Sequence, residues 1–461
     1  MDSIEKVPRN FESGRGRSQA AGCVLSPFEP LFVSCGFIKN GFRGEMRRRW
    51  TGAGAPWRRA AVVCAAIFAA LSGATAVADD WPAFRGGVQA GVSAERGLPA
   101  SFDPSTGANV RWKVPLPGRG PSSPIIVGDR VFVTAASGPK QATLHVLCFD
   151  ASSGREIWHR RLWATGHTVV DPFGGVAAPT PACDGESMVV FYSSNDLACF
   201  DRKGNLKWFR GLAYDSPQTR NDVGMASSPL IVGQTVIVQC ENQGESFAAG
   251  IDLRTGEDRW RIERDRSAVW SSPILLPGNE SETPLVLLVG RARLSAVDPA
   301  DGNTVWSYDA PCHTIASPVV SADRIFLPAI GIHALRADRA KGKAVRLWYE
   351  ANLRSDNASP LLHEGRLYVI KPPGILLCAD AAKGNLLWQK RLTGPFWASP
   401  VAADGRLWCV NHAGLVQIVS LGDDPKIESV SLGEEGVLAS PAVGAGALFF
   451  RTDQHLWKIA R

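Results

Sequence analysis

Between Gly120 and Arg461 the chain states one pattern eight times, and that recurrence constrains the fold more than any other feature. Each copy opens on a Ser-Pro step, or Thr-Pro once, with the proline at Pro124, Pro181, Pro229, Pro273, Pro318, Pro360, Pro400 and Pro441. The prolines are 57, 48, 44, 45, 42, 40 and 41 residues apart. A period near 40–50 residues marks a repeat architecture, in which each copy is one supersecondary unit stacked on the next.

The unit is built from strand chemistry. After the proline comes a short apolar run such as Ile125-Ile126-Val127, then a Gly-Asp turn, then a second run such as Val131-Phe132-Val133. β-Branched runs bounded by Gly, Asp, Asn and Ser read as strands joined by turns. A third run ends in aspartate, and the copy closes on the pattern D-x-x-x-G-x-x-x-W. Examples are Asp150, Gly154, Trp158; Asp252, Gly256, Trp260; and Asp380, Gly384, Trp388. Aspartate bonds its own backbone and glycine supplies a positive φ, which together make a tight turn. Proline suits the first residue of an edge strand. Each unit is therefore an antiparallel four-stranded meander with its first strand on an edge. Small residues precede the turn aspartate by two positions, as at Cys148, Cys199, Gly250 and Ala296, which predicts a narrow slot between neighbouring sheets. The tryptophans read as packing between sheets.

Radial repetition of such units gives an all-β, eight-bladed β-propeller. Its closure is written at the ends. The last copy stops at Leu456-Trp457-Lys458-Ile459, a third strand with no fourth. An orphan fourth strand, residues 109–116 with Trp112, stands just before the first Ser-Pro. Inserting it into the last sheet completes the eighth blade. Copy seven lacks the Asp-Gly-Trp ending, so its outer strand is the least well specified.

Residues 60–78 are almost wholly apolar, follow Arg47–Arg49 and Arg58-Arg59, and end in Ala76-Val77-Ala78. A basic segment, an apolar core and a small-x-small end describe a secretory signal peptide. We expect residues 1–45 to be an upstream extension, disordered or not translated; residues 46–78 to be the signal; and residues 79–461 to be the propeller. Export to the periplasm or the extracellular space follows. An uncleaved N-terminal anchor is the alternative, because 19 residues nearly span a bilayer. Beyond the leader the chain has 39 basic and 39 acidic residues, which removes any electrostatic case for nucleic acid. The mature chain is expected to be a monomer without a membrane span. Seven cysteines follow Ala78, none adjacent to another.

The repeat ending, together with the opening of the mature chain at Trp81-Pro82-Ala83-Phe84-Arg85-Gly86, resembles the PQQ-type propeller repeat. The resemblance covers about 380 residues. It implies one of two functions. One branch contains quinoprotein dehydrogenases, which oxidise alcohols or sugars with pyrroloquinoline quinone and calcium. The other contains BamB-like proteins, non-catalytic scaffolds of outer-membrane protein assembly. The alcohol-oxidising enzymes hold the quinone between a tryptophan and a disulfide of adjacent cysteines, which this chain lacks. The resemblance therefore favours an exported scaffold with a protein partner in the cell envelope and no cofactor. A quinone-dependent dehydrogenase and a carbohydrate- or ligand-binding propeller are the alternatives. The BamB lipid-bearing cysteine has no counterpart here.

The loops that lead into the first strands gather at one mouth of the central channel. Three residues before the Ser-Pro proline they carry Trp270, Asn357 and Trp397. Copies four and seven are nearly opposite in an eight-blade ring, so the two tryptophans could flank the opening. Aromatic plates suit a planar ligand or a partner side chain. The longest such loop adds Arg220, Asn221 and Asp222. No catalytic or metal-binding set emerges: the histidines show no HExxH spacing, and Cys312-His313 are strand neighbours that point to opposite faces.

Overall fold

The computed structural model describes residues 80–219, 223–279, 281–433 and 436–461. Residues 1–79, which include the extension and the signal segment, lie outside the described residues, so those expectations are not addressed by it.

Eight four-stranded antiparallel sheets form a propeller. Blades 1 to 7 span Ile125–Trp163, Ala182–Gly211, Leu230–Glu263, Ile274–Asp309, Val319–Glu350, Leu361–Arg391 and Val401–Ser431. In each the strands follow sequence order, and the first strand is an edge that packs on the first strands of neighbouring blades. Blade 8 combines Ala442–Gly444, Ala447–Arg451 and His455–Ile459 with Val110–Pro115 as its outer strand. Trp112 pairs with Lys458 and Val114 with Leu456 in an antiparallel register. The chain's first strand thus latches its last sheet.

The Asp-Gly-Trp ending does two jobs. Within a blade, the tryptophan faces the small residue on the third strand: Cys148 opposite Trp158, Cys199 opposite Trp208, Gly250 opposite Trp260 and Ala296 opposite Trp306. A Cβ on Gly250 would stand 2.3 Å from the Trp260 ring. The narrow slot is therefore made by the blade's own tryptophan, which corrects the reading that the adjacent sheet creates it. Immediately before each of these tryptophans the register slips by one residue, a β-bulge that bends the outer strand.

Between blades, the indole N–H of one tryptophan donates to a turn carbonyl of the next sheet: Trp112 to Ala151, Trp158 to Arg202, Trp208 to Leu253, Trp260 to Pro299, Trp348 to Ala381 and Trp388 to Gly422. The turn glycine carries the ring. Gly204 has φ +80°, and a Cβ there would lie 2.7 Å from Trp158. The Trp112 bond joins blade 8 to blade 1 and completes the circle. In blade 5 the tryptophan follows the turn glycine by two residues more than in the other copies, the turn is a short 3-10 helix at Arg339–Lys341, and Trp306 of blade 4 finds no acceptor for its indole N–H among the described residues. Copy seven, despite lacking the Asp-Gly-Trp ending, forms an outer strand at Ile427–Ser431.

Candidate functional site

Residues 81–95 run through the inside of the ring. Trp81 exchanges backbone hydrogen bonds with Ile126 of blade 1, and the Pro82 carbonyl accepts from Cys183 of blade 2. Arg85 donates to the Pro360 carbonyl beside blade 6; Gly91 and Ser93 pair with Ala402 of blade 7; Glu95 accepts from Gly446 of blade 8. Asp80 accepts from Gly128, in the turn after the first strand, so the segment comes in from the face opposite the mouth. Positive φ at Arg85, Gly86, Gly87, Ala90 and Gly91 coils it tightly enough to fit. Arg85 is 2% exposed and faces no carboxylate, and burial pushes its guanidinium down to about 10. This segment plugs the channel, and Phe84 on it forms part of the floor of the mouth.

Above the plug is a cavity of about 340 Å³. Its floor is a ring of hydroxyls supplied by the residue before each proline: Ser123, Thr180, Ser228, Ser272, Ser317, Ser359, Ser399 and Ser440. Each hydroxyl from Thr180 onward accepts the backbone N–H of its counterpart in the preceding blade, at 2.9–3.0 Å. Across the remaining junction Arg451 bonds the Ser122 carbonyl at 3.0 Å and the Ser122 hydroxyl. All eight residues are at most 5% exposed, and only the Ser317 hydroxyl has a further side-chain partner among the described residues, the Ser271 hydroxyl at 3.3 Å. The recurrent Ser/Thr was visible in the sequence, but its role depends on the neighbouring blade and was missed.

The walls are apolar: Trp270, Trp397, Phe173, Ile315, Leu438 and Met225. The structure brings Trp270, Asn357 and Trp397 to this one cavity. The Trp270 indole N–H donates to the Gly224 carbonyl at 2.7 Å and so pins the loop before blade 3. The Asn357 amide and the Trp397 indole N–H have no hydrogen-bond partner among the described residues. Arg220, Asn221 and Asp222 lie outside the described residues; their neighbour Val223 lines the cavity. The connection from blade 1 to blade 2 folds over the mouth, where the Phe173 ring meets His412 of blade 7 edge-on at 5.6 Å. Asp171 is the single charged residue among the described lining, and its Oδ1 accepts from the Phe173 backbone.

Pyrroloquinoline quinone is a tricarboxylate and would arrive with calcium, a cation that takes six to eight oxygen ligands. The residues present do not fit that pair. No Lys or Arg lines the cavity among the described residues, and these contain no group of three or more His, Cys, Asp or Glu able to hold a metal. The seven described cysteines are free and buried.

Beyond the mouth, Ser137, His145 and His159 form a chain across three strands of blade 1, with Ser137 Oγ 2.7 Å from His145 Nε2 and His145 Nδ1 2.8 Å from His159 Nε2. Burial, then the neighbouring His159 and Arg161, pushes His145 down to about 4.

Among known proteins, the chain is 22% identical over 351 residues to the outer membrane protein assembly factor BamB of Bordetella pertussis, covering 72% of this chain and 80% of that one. The crystal structure of BamB from Moraxella catarrhalis superposes with a TM-score of 0.57 at 15% identity, covering 76% of this chain and 97% of that one. A europium-containing methanol dehydrogenase superposes with a TM-score of 0.61 at 12% identity, covering 83% and 89%; at such identities the likeness shows the fold alone. The family model described as outer membrane protein assembly factor BamB matches residues 57–276, 248–362 and 346–424, and this chain belongs to that family.

Proposed function

We propose that this chain is an exported, non-catalytic scaffold that docks a protein partner of the cell envelope through the mouth face of its propeller. Residues 46–78 direct the export, and the propeller itself works in the periplasm or outside the cell. The observation that carries the reading is the exposure of three large aromatic side chains on or beside the connections that follow blades 1 and 2, one of which, Phe173, also lines the mouth. Trp163 is 72% exposed, Tyr214 75% and Phe173 54%. Trp163 ends the outer strand of blade 1 and Phe173 lies in the connection that follows, while a Cβ on Gly211 would meet both Thr165 of that connection and the Tyr214 ring. Monomeric soluble proteins rarely leave such patches uncovered; where they occur they mark interaction sites. Tyr and Trp supply large contact areas at low entropic cost, which is why they concentrate at interfaces. The BamB relatives, named as assembly factors of outer membrane proteins, support the same reading. No helix among the described residues is long and apolar enough to cross a membrane.

The test is affinity purification of the tagged chain from solubilised envelopes, beside a variant carrying Trp163→Ala and Tyr214→Ala. A co-purifying envelope protein that the double variant loses supports docking. Equal recovery by both proteins, or dye-linked alcohol oxidation by the purified chain, overturns it.

A further inference from the structure

We propose that the mouth cavity is a binding site for an uncharged saccharide of one or two pyranose rings, seated on the hydroxyl ring between Trp270 and Trp397. The inference concerns a small ligand and does not depend on the protein partner.

The floor decides the chemistry. Eight nearly buried hydroxyls line it, and seven have spent one lone pair on a backbone N–H; apart from Ser317, which lies 3.3 Å from the Ser271 hydroxyl, their protons have no described acceptor. A buried polar group left unpaired is destabilising. An apolar side chain pressed onto this floor would strip water from the whole ring and return nothing. A polyol restores the bonds, because each of its hydroxyls both accepts and donates. The walls then exclude a purely polar ligand. Trp270, Trp397, Phe173 and Phe84 present aromatic surface that matches the C–H face of a pyranose. The Asn357 amide and the Trp397 indole N–H stand uncommitted on the same wall.

Charge sorts the remaining candidates. No cation lines the cavity among the described residues, and the one carboxylate, Asp171, is turned onto its own backbone. A phosphate or carboxylate ligand would lose its water there without gaining a counter-charge. Size sets the limit at one or two rings, since about 340 Å³ lies at the small end of the ligand-pocket range of roughly 300–1,000 Å³.

The experiment is saturation-transfer NMR on the purified mature chain with glucose, galactose, mannose, N-acetylglucosamine, cellobiose and lactose. Methyl glucuronide serves as the charged ring, and indole as the apolar ring. At least one neutral sugar is expected to bind, with methyl glucuronide at least tenfold weaker. Trp397→Ala and Asn357→Ala, both at half-buried positions, are each expected to weaken binding at least tenfold with an unchanged melting temperature. Trp163→Ala, outside the cavity, is expected to leave it unchanged. Silence from every neutral sugar, binding indifferent to both cavity variants, or a cavity that prefers indole would overturn the proposal. None of those results would touch the protein-docking reading, which is tested by co-purification.

Discussion

Gly204→Ala isolates the lock between blades 1 and 2. Two terms add. An L-residue at φ +80° is strained by about 1–2 kcal/mol. The new methyl would also lie 2.7 Å from the Trp158 ring, itself held by its bond to Arg202, and overpacking of that kind costs about 1–3 kcal/mol. The sum is roughly 2–5 kcal/mol. Gly233→Ala is the internal control: φ is +56°, with no atom within 4 Å of the added Cβ, so only the strain term applies. At roughly 1–2 °C per kcal/mol for a domain this large, the thermal unfolding midpoint followed by circular dichroism should drop by roughly 2–10 °C for Gly204→Ala and roughly 1–4 °C for Gly233→Ala. In a Trp158→Leu background the excess cost of Gly204→Ala should disappear. Equal shifts for the two glycines, or an excess that survives removal of Trp158, would refute the lock.

Three further outcomes follow from the same geometry. Trp260→Phe removes a made bond to the Pro299 carbonyl, whereas Trp306→Phe removes an indole N–H that has no acceptor; unfolding should show the first to be the costlier by about 1 kcal/mol. His145 titrates below its unfolded value, so the unfolded chain binds the extra proton first. Its contribution is complete above about pH 6.5 and is lost as pH falls toward about 4, a change of up to roughly 3 kcal/mol. His145→Gln should flatten the stability profile in that window, measured by urea unfolding against pH. Loss of neutral-sugar binding in Trp397→Ala and Asn357→Ala, read by NMR, is the outcome for the mouth cavity.

Much of the wheel was legible because its signals are local. Ser/Thr-Pro, the Asp-Gly turn and the tryptophan each act within a few residues, so eight blades and the latch by Val110–Pro115 could be read from spacing alone. The small residue before the turn was legible as a constraint, but its cause was misassigned, because the tryptophan that fills the slot pairs with it across a bulge. Copy seven builds an outer strand without tryptophan because pairing with Leu415–Ser420 needs only the backbone ladder. The plug was illegible: Arg85 meets Pro360, and Glu95 meets Gly446, across hundreds of residues with no periodic trace. The hydroxyl ring was hidden differently. Each serine looked like a strand opener, and only the neighbouring blade shows that its oxygen receives an N–H. Trp270, Asn357 and Trp397 reach one cavity because one register position maps to one place around a ring.

The most direct test of the mouth as the working face is photo-cross-linking in intact cells. A benzophenone amino acid replaces Phe173 at the mouth in one strain and Leu387, exposed on the outer strand of blade 6, in another. Docking at the mouth predicts a discrete adduct with an envelope protein from position 173 and none from position 387. An adduct from position 387 alone would contradict it and move the partner to the rim of the wheel.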